Sequence, residues 1–391
     1  MIVWILEALK EWLTARELFP YVQVFEQLEF RAFCAGFFAF LAVMLVGPRT
    51  IKWLKERKIG DQAKFDVAAL DEAMASKQNT PTMGGVMIAG AILLATLLFA
   101  DLGNRYVQLG VVVLIWHAIV GGWDDWLKLT AAAKGSGSRQ GLYAWEKLVF
   151  QLGVGLLIGY FAFDAGFGAE GERTMSHALN LPLQRTYVPP EFLPNTSVIY
   201  LPMIAYMVVM TLMMAGMSNA VNITDGMDGL ASGVTVAVGI GILILVFIAG
   251  DEQTARSLLV PFVATSGELA VTVSAMIGAV LGFLWFNASP ASVFMGDTGS
   301  LCLGGLIGYF ATVVRQEVVV VLMAGVFIAE ILSVVIQVGY FKATGGKRVF
   351  RCAPYHWHLR MGGWQEQKIV TRFWLLSILL VAIGLATIKL R

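Results

Sequence analysis

Long apolar runs separated by short polar segments dominate this chain. The runs are continuous, unlike the alternating pattern of a membrane barrel, and each is long enough to cover most of a bilayer as a helix. We therefore predict an all-α polytopic membrane protein with about ten transmembrane helices. The run at 301–314 is short, so it could be tilted or partly re-entrant. The predicted spans are residues 30–47, 83–100, 107–122, 147–165, 198–217, 230–249, 268–286, 301–314, 318–340 and 370–388.

Three segments outside the runs carry predictions of their own. Residues 1–29 are predicted to be an amphipathic, extracytoplasmic N-terminal segment, and residues 30–391 to form one ten-helix membrane domain. Residues 166–197 contain four prolines and short β-like stretches, so we predict a short extracytoplasmic hairpin without visible chemistry. Residues 131–141 (AAAKGSGSRQG) are predicted to be a flexible cytoplasmic linker.

Composition supports the membrane assignment. The 391 residues are 58% hydrophobic and 14% charged, whereas soluble domains are nearer half apolar and a quarter charged. The net charge of +1 indicates no particular partner, and no nucleic-acid signature is visible. The three cysteines are scattered without metal-site spacing.

Basic residues assign sides to the loops. If there are ten spans, most of the 28 lysines and arginines lie in or beside one alternate set of loops. Lysine and arginine accumulate on the cytoplasmic side, so this set is predicted to be cytoplasmic. The acidic motifs fall in the same set, which predicts a cytoplasmic-side active-site cleft and contact with the bilayer. The loops are 48–82, 123–146, 218–229, 287–300 and 341–369.

Five aspartates stand at the ends of the apolar runs, where a carboxylate is costly. They are Asp124, Asp125, Asp225, Asp228 and Asp297. Adjacent residues on a helix point about 100° apart, so Asp124 and Asp125 are expected to have different roles. Lys128 shares the face of Asp124 and could pair with it or reach a phosphate. A solvated helix end with an ion pair is the alternative.

A polar stripe is predicted where Asn219, Asn222, Asp225 and Asp228 recur every three residues, provided that their helix continues. Gly226 would let the backbone break and approach a ligand closely. Oxygen ligands of this kind suit Mg²⁺ rather than zinc. Helix capping is the alternative for each residue alone, and Asp297, after a glycine and before an apolar helix, could also be an N-cap.

Two further segments could contact phosphate. Lys77, Thr80 and Thr82 precede a span and would favour an anion at a helix N-terminus, or would be a loop lysine with capping threonines. His356 and His358 share a side only if their segment is extended. Phosphate contact or acid–base chemistry fits this pair better than zinc, with lipid-headgroup contact as the alternative.

These features fit phosphoryl transfer onto or from a lipid, in which a protein mainly positions groups and neutralises charge. An ion-coupled transporter is the rival class, because it would also use intramembrane carboxylates and broken helices. A transporter predicts inverted repeats, which we do not find. It also predicts carboxylates near mid-span, whereas these stand at span ends.

Several strings of this sequence resemble the phospho-N-acetylmuramoyl-pentapeptide transferases (the MraY translocases). They are TPTMGG, DDWLK, SNAVNITDGMDGLA, GELAV, GFLWFNASPASVFMGDTGSL, RQEVVVVLMAGVFIAEILSVVIQVGYFK, FRCAPYHWHL and RFWLLSILLVAIGLATIKLR. The resemblance implies transfer of phospho-MurNAc-pentapeptide from UDP-MurNAc-pentapeptide to undecaprenyl phosphate, with Mg²⁺ as cofactor and lipid I and UMP as products. It also implies the bacterial inner membrane and a homodimer. A sister transferase that uses UDP-GlcNAc is the alternative.

The resemblance also implies roles for individual residues. Asp297 looks like the main Mg²⁺ ligand, with Asp225 beside it, and Asp124 and Asp125 look like the acidic pair at the reacting phosphates. Asn219, Asn222, His356 and His358 resemble further catalytic positions. The family usually has three consecutive histidines, and here Trp357, a hydrogen-bond donor only, replaces the central one. The implied substrate-binding positions are Lys77, Thr82, Lys128, Lys147, Gly226, Met227, Asp228, Asn287, Phe294 and Gln337.

Overall fold

The computed structural model describes residues 1–57, 80–133 and 141–389. Helices dominate these ranges, which confirms the all-α prediction. In chain order they are α1 (Ile2–Ala15), α2 (Phe19–Val22), α3 (Leu28–Glu56), α4 (Gly85–Phe99), α5 (Arg105–Ala133), α6 (Ala144–Asp164), α7 (Met203–Thr224), α8 (Leu230–Gly250), α9 (Glu252–Ser257), α10 (Leu269–Asn287), α11 (Gly296–Val313), α12 (Glu317–Met323), α13 (Gly325–Ala343), α14 (Tyr355–Met361) and α15 (Glu366–Lys389).

Eight helices in the described ranges are long and apolar enough to cross a membrane. They coincide with eight of the ten predicted runs, so the polytopic architecture is confirmed. The other two runs form α4, with 15 residues, and α11, with 18 residues. At a rise of about 1.5 Å per residue, α4 is shorter than the hydrocarbon core of a bilayer. The predicted count of ten is therefore not confirmed.

The run at 318–340 contains one candidate span, α13, as predicted, but a single helix does not cover the whole run. The helix breaks at Ala324, between α12 and α13. The short α12 buries Val319, Val320 and Met323 in the bundle. In contrast, α13 leaves large apolar side chains such as Val335 exposed. The break thus joins a segment packed inside the protein to one whose surface is mostly uncovered, a change that an unbroken apolar sequence does not reveal.

Two predicted elements lie outside the long helices: the N-terminal amphipathic helix and the hairpin between α6 and α7. Helix α1 exposes Trp4, Leu9 and Trp12, a pattern that suits an interfacial helix. Between α6 and α7, β1 (Tyr187–Val188) pairs antiparallel with β2 (Leu193–Pro194), so the predicted hairpin is present as two-residue strands.

Helix α11 is the centre of the bundle, and every residue from Asp297 to Val313 is buried. It packs closely on α7 because the facing positions are glycines. A Cβ added at Gly304 would lie 2.3 Å from the Met217 carbonyl oxygen, and one at Gly308 would lie 2.4 Å from that of Met213. Small residues allow such close approach between membrane helices. This contact brings the last turn of α7 beside the first turn of α11, where the predicted polar residues lie.

Candidate active site

Asp124 joins two lysines at one end of the bundle. Its Oδ2 lies 2.8 Å from Lys128 Nζ and 2.9 Å from Lys147 Nζ. Both lysines also pair with Asp297, whose Oδ1 is 3.2 Å from Lys128 Nζ. The predicted Asp124–Lys128 pair is therefore present, but the side chain of Asp124 is fully buried rather than solvated. Two carboxylates and two ammonium groups from α5, α6 and α11 form one compact charged cluster.

Asp125 has different partners from Asp124. Its Oδ1 accepts from the Asp297 backbone N–H at 3.0 Å. Its Oδ2 accepts from the Thr298 backbone N–H at 3.0 Å and from the Thr298 hydroxyl at 2.7 Å. These amides belong to the first turn of α11 and have no partner within the helix. Asp125 thus acts as an N-terminal cap supplied by another helix, and it fixes the backbone that carries Asp297.

Asn222 completes the surroundings of Asp297. Its side-chain amide donates to Asp297 Oδ1 and to Ser300 Oγ, both at 2.9 Å. Asn219, one turn earlier, instead donates to Gln151 Oε1 at 2.6 Å. Gln151 donates onward to Ser218 Oγ. The amide network therefore ties α6, α7 and α11 together at the level of the aspartates.

The polar stripe does not continue as predicted. Helix α7 ends at Thr224, so Asp225 lies in the following turn rather than on the face of Asn219 and Asn222. Asp228 is turned away, since its Oδ2 accepts from the Ala291 backbone N–H at 3.0 Å. Its own N–H donates to Glu366 Oε1. The turn separates Asp225, which stays near the cluster, from Asp228, which braces the loop after α10.

The donor set suits a divalent cation. Asp124, Asp125 and Asp297 each offer an oxygen within 4.8 Å of the others, and all three are buried. Burial, together with the nearby charges of Asp297 and Asp125, raises the pKa of Asp225 to about 7. When Asp225 is ionised, four carboxylates face two lysines, so among the described residues the cluster has excess negative charge. Carboxylate oxygens are the ligands that Mg²⁺ prefers.

The segment before α4 pairs with the loop before α11. Phe294 N–H donates to Pro81 O at 2.8 Å, and Gly84 N–H donates to Phe294 O at 2.9 Å. A Cβ added at Gly296 would lie 3.0 Å from Thr82 Oγ1 and 2.8 Å from Asp125 Oδ2. Thr82 is therefore brought beside the aspartates, as its predicted role requires. Lys77 lies outside the described residues.

The side chain of Asn287 is held by hydrogen bonds to the α7–α8 turn, to α8 and to the loop that follows α10. Its Oδ1 accepts from Gly229 N–H at 3.1 Å and from Ser232 Oγ at 2.9 Å. Its side-chain amide donates to Val293 O at 3.0 Å. The buried Met227 and Gly229 belong to the same turn. This part of the predicted substrate pocket is thus shaped by backbone contacts between the α7–α8 turn and the α10–α11 loop.

The expectation that His356 and His358 could share a side is wrong because their segment is the helix α14. His356 is fully buried and contacts Glu330. His358 faces elsewhere: its Nδ1 accepts from Arg351 N–H at 3.1 Å, and its ring stacks on Tyr355. Gln337, on α13, accepts from two backbone N–H groups of the 349–350 segment. His358 and Gln337 therefore hold the loop between α13 and α14.

Comparison with known proteins shows which family this chain resembles. A model described as glycosyl transferase family 4 matches residues 106–315. The phospho-N-acetylmuramoyl-pentapeptide-transferase signature 1 matches residues 77–88. A phospho-N-acetylmuramoyl-pentapeptide-transferase from Oleidesulfovibrio alaskensis is 41% identical over 372 residues, which cover 95% of this chain and 96% of the relative.

The chain belongs to the phospho-N-acetylmuramoyl-pentapeptide transferase family.

In this member of the transferase family, several residues of the site were not predicted from the sequence. They are Gln151, Thr298, Ser300, Glu330 and Glu366. Gln151 and Glu330 had a usable signal, since each is a lone polar residue inside an apolar run. Thr298 and Ser300 had none, because hydroxyl groups are common in membrane helices and hydrogen-bond locally.

Proposed function

We propose that this chain transfers phospho-MurNAc-pentapeptide from UDP-MurNAc-pentapeptide to undecaprenyl phosphate, with release of UMP. Membership of the transferase family supports the reaction. The observation that carries the assignment of the site is the cluster in which Lys128 and Lys147 lie between Asp124 and Asp297. Two ammonium groups beside buried carboxylates suit a diphosphate and a divalent cation together.

Mg²⁺ is the proposed cofactor, and Asp297 and Asp225 are its proposed ligands. When bound, the cation would neutralise the charge that develops on the transferring phosphate and the leaving UMP. Asn222 orients Asp297 through the contact at 2.9 Å, and Asp125 fixes its backbone. The chain thus holds the carboxylate of Asp297 in position before substrate arrives.

The geometry supports separate roles for the adjacent aspartates. Both oxygens of Asp125 accept hydrogen bonds from the first turn of α11. Asp124 contacts the two lysines that would bind phosphate. We therefore assign acceptor positioning to Asp124 and support of α11 to Asp125. Undecaprenyl phosphate is already ionised at pH 7, which favours one direct displacement, and a phospho-sugar trapped on Asp124 would instead establish a two-step route.

The proposed location is the bacterial inner membrane, with the site on the cytoplasmic face. The basic loops beside the aspartate motifs support this orientation. The nucleotide sugar is charged and water-soluble, so it reaches the protein from the cytoplasm, whereas the acceptor is a membrane lipid. A site at the cytoplasmic end of the helices is accessible to both. The homodimer stays a prediction from the family resemblance.

The assay that tests the proposed function uses purified protein with undecaprenyl phosphate and Mg²⁺. We expect UMP release from UDP-MurNAc-pentapeptide and none from UDP-GlcNAc. Release only from UDP-GlcNAc would establish the sister activity, and release from neither would contradict the proposed function. Omission of undecaprenyl phosphate is the matched control, because simple hydrolysis would continue without the acceptor.

We expect Trp357→His to keep activity and His356→Ala to lose most of it. His356 is fully buried and close to Gly226, and Trp357 stands where the family usually has a histidine. Initial rates of UMP release from the two variants check this expectation. His358→Ala should lose less activity than His356→Ala, since His358 accepts from the Arg351 backbone N–H and stacks on Tyr355 rather than contacting Glu330. Full activity of His356→Ala would exclude the role proposed for that residue.

A further inference from the structure

Glu330 is a buried carboxylate that no step of the proposed reaction uses. It lies on α13 within an otherwise apolar run, and its side chain is 1% exposed. Its oxygens accept from the His356 backbone N–H at 3.1 Å and face the ring Nδ1 at 3.0 Å. A buried carboxylate in a membrane helix is costly unless it is paired. The two contacts with His356 therefore define the environment of this group.

The contact determines which nitrogen of His356 carries the proton. Nδ1 faces a carboxylate, which accepts but does not donate, so Nδ1 is the protonated nitrogen. Nε2 is then the bare acceptor of the neutral ring. In the described part of the chain, Nε2 is buried and has no hydrogen-bond partner. A Cβ added at Gly226 would lie 2.5 Å from Nε2, so this nitrogen points at the turn that follows Asp225.

We propose that Glu330 is a positioning residue that holds His356 in the Nδ1–H form, with Nε2 presented to the substrate at Gly226. The substrate group that Nε2 accepts from is an O–H or N–H of the nucleotide sugar. The identity of that substrate rests on the proposed function. The tautomer and the orientation of the ring rest only on the contacts of Glu330, His356 and Gly226.

The tautomer of His356 affects ligand recognition because Trp357 provides a hydrogen-bond donor next to its Nε2. Its indole Nε1 lies 3.3 Å from the same added Cβ at Gly226. A donor from Trp357 and an acceptor from His356 therefore lie side by side at Gly226, and a ligand group that entered this turn would meet both. If the proton moved to Nε2, both residues would be donors, and a ligand with one donor and one acceptor would lose a hydrogen bond. Glu330 thus preserves the complementary pair.

The principal test is Glu330→Gln, which keeps the size of the side chain. The amide NH₂ can donate to Nδ1, so the ring proton is expected to move to Nε2. We expect turnover to fall roughly 10- to 100-fold, by analogy with the carboxylates that orient metal-binding histidines. In ¹⁵N spectra of histidine-labelled protein, the protonated nitrogen of His356 should change from Nδ1 to Nε2. The chain has only 4 histidines, and His356→Ala identifies the signals.

Glu317→Gln is the matched control. Glu317 is also buried, lies on the adjacent α12 and pairs with Arg315 at 2.9 Å. Its substitution should leave turnover and the His356 signals unchanged. Glu330→Asp keeps a carboxylate and should retain the Nδ1–H form with a smaller loss of turnover.

Combination with His356→Ala shows whether Glu330 acts through the histidine. In that background, Glu330→Gln should cause no further loss of the residual turnover. An equal loss in both backgrounds would overturn the proposal. So would a wild-type protein whose neutral His356 carries its proton on Nε2, a measurement that remains decisive if Glu330→Gln does not fold. The spectra need no substrate, so they distinguish failure of this proposal from failure of the proposed function.

Discussion

Replacement of Asp297 by asparagine is expected to reduce UMP release by about 10²- to 10³-fold or more, the range found when one preorganised electrostatic contact is removed. Asp297 contacts Lys128, Lys147 and Asn222 and is a proposed Mg²⁺ ligand. Asparagine has nearly the same shape but no charge. The substitution would weaken the cation site, and it would remove one of the two carboxylates that pair with Lys128 and Lys147.

The measurement is UMP release across a Mg²⁺ titration, with thermal unfolding as a check on folding. Asp251→Asn is the matched control, because Asp251 is exposed and caps the short helix α9 through Thr254. It should retain wild-type turnover at every Mg²⁺ concentration. Unchanged turnover of Asp297→Asn at ordinary Mg²⁺ would remove Asp297 from the metal site.

The second large effect is on stability, and it concerns Asp125. Asp125→Asn places an NH₂ group against N–H donors at the start of α11, where the carboxylate now accepts from Asp297 and Thr298. The loss of a charge-assisted hydrogen bond, which leaves a buried donor unsatisfied, is expected to lower the free energy of unfolding by about 2–3 kcal/mol. We therefore expect a clear decrease in the melting temperature in detergent, together with lower activity.

Two companion variants separate this effect from chemistry. Thr298→Val removes only the hydroxyl that donates to Asp125 at 2.7 Å, so it should cause part of the stability loss without any change of charge. Asp124→Asn should lower activity with a smaller decrease in melting temperature, since both lysines keep Asp297 as a partner. A stable Asp125→Asn beside an unstable Asp124→Asn would reverse the assigned roles.

The hydrophobic pattern predicted the helices well because a membrane-spanning helix must satisfy its backbone polar groups internally and present apolar side chains. The same pattern could not show the break at Ala324, since the residues on both sides are equally apolar. It also extended the stripe to Asp228, although the chain turns after Thr224. Turns of this kind depend on tertiary contacts such as that between Gly229 and Asn287.

The sequence predicted which residue types lie at the site, but it did not predict which of them contact each other. Charged residues at span ends predicted where the carboxylates and lysines would lie together, and the angle of about 100° between adjacent helical residues predicted that Asp124 and Asp125 would have different surroundings. Whether Asp124 or Asp125 contacts Lys147 or Thr298 depends on how α6 and α11 pack against α5, and the sequence pattern does not give that packing. The helix at Tyr355–Met361 follows Pro354 and is only 7 residues long, too short for periodicity to reveal it.

The burial of α11 has a consequence for how the protein is made. This helix carries Asp297, Thr298 and Ser300 and several glycines, and protein covers it on every side. Such a segment is not expected to insert into lipid on its own. Its polar residues make the free energy of transfer into the bilayer unfavourable, and its small side chains contribute little hydrophobic free energy to offset this. We expect it to enter the membrane together with its neighbours during synthesis, so that a truncated chain lacking α5 or α7 would be a target for quality-control proteases.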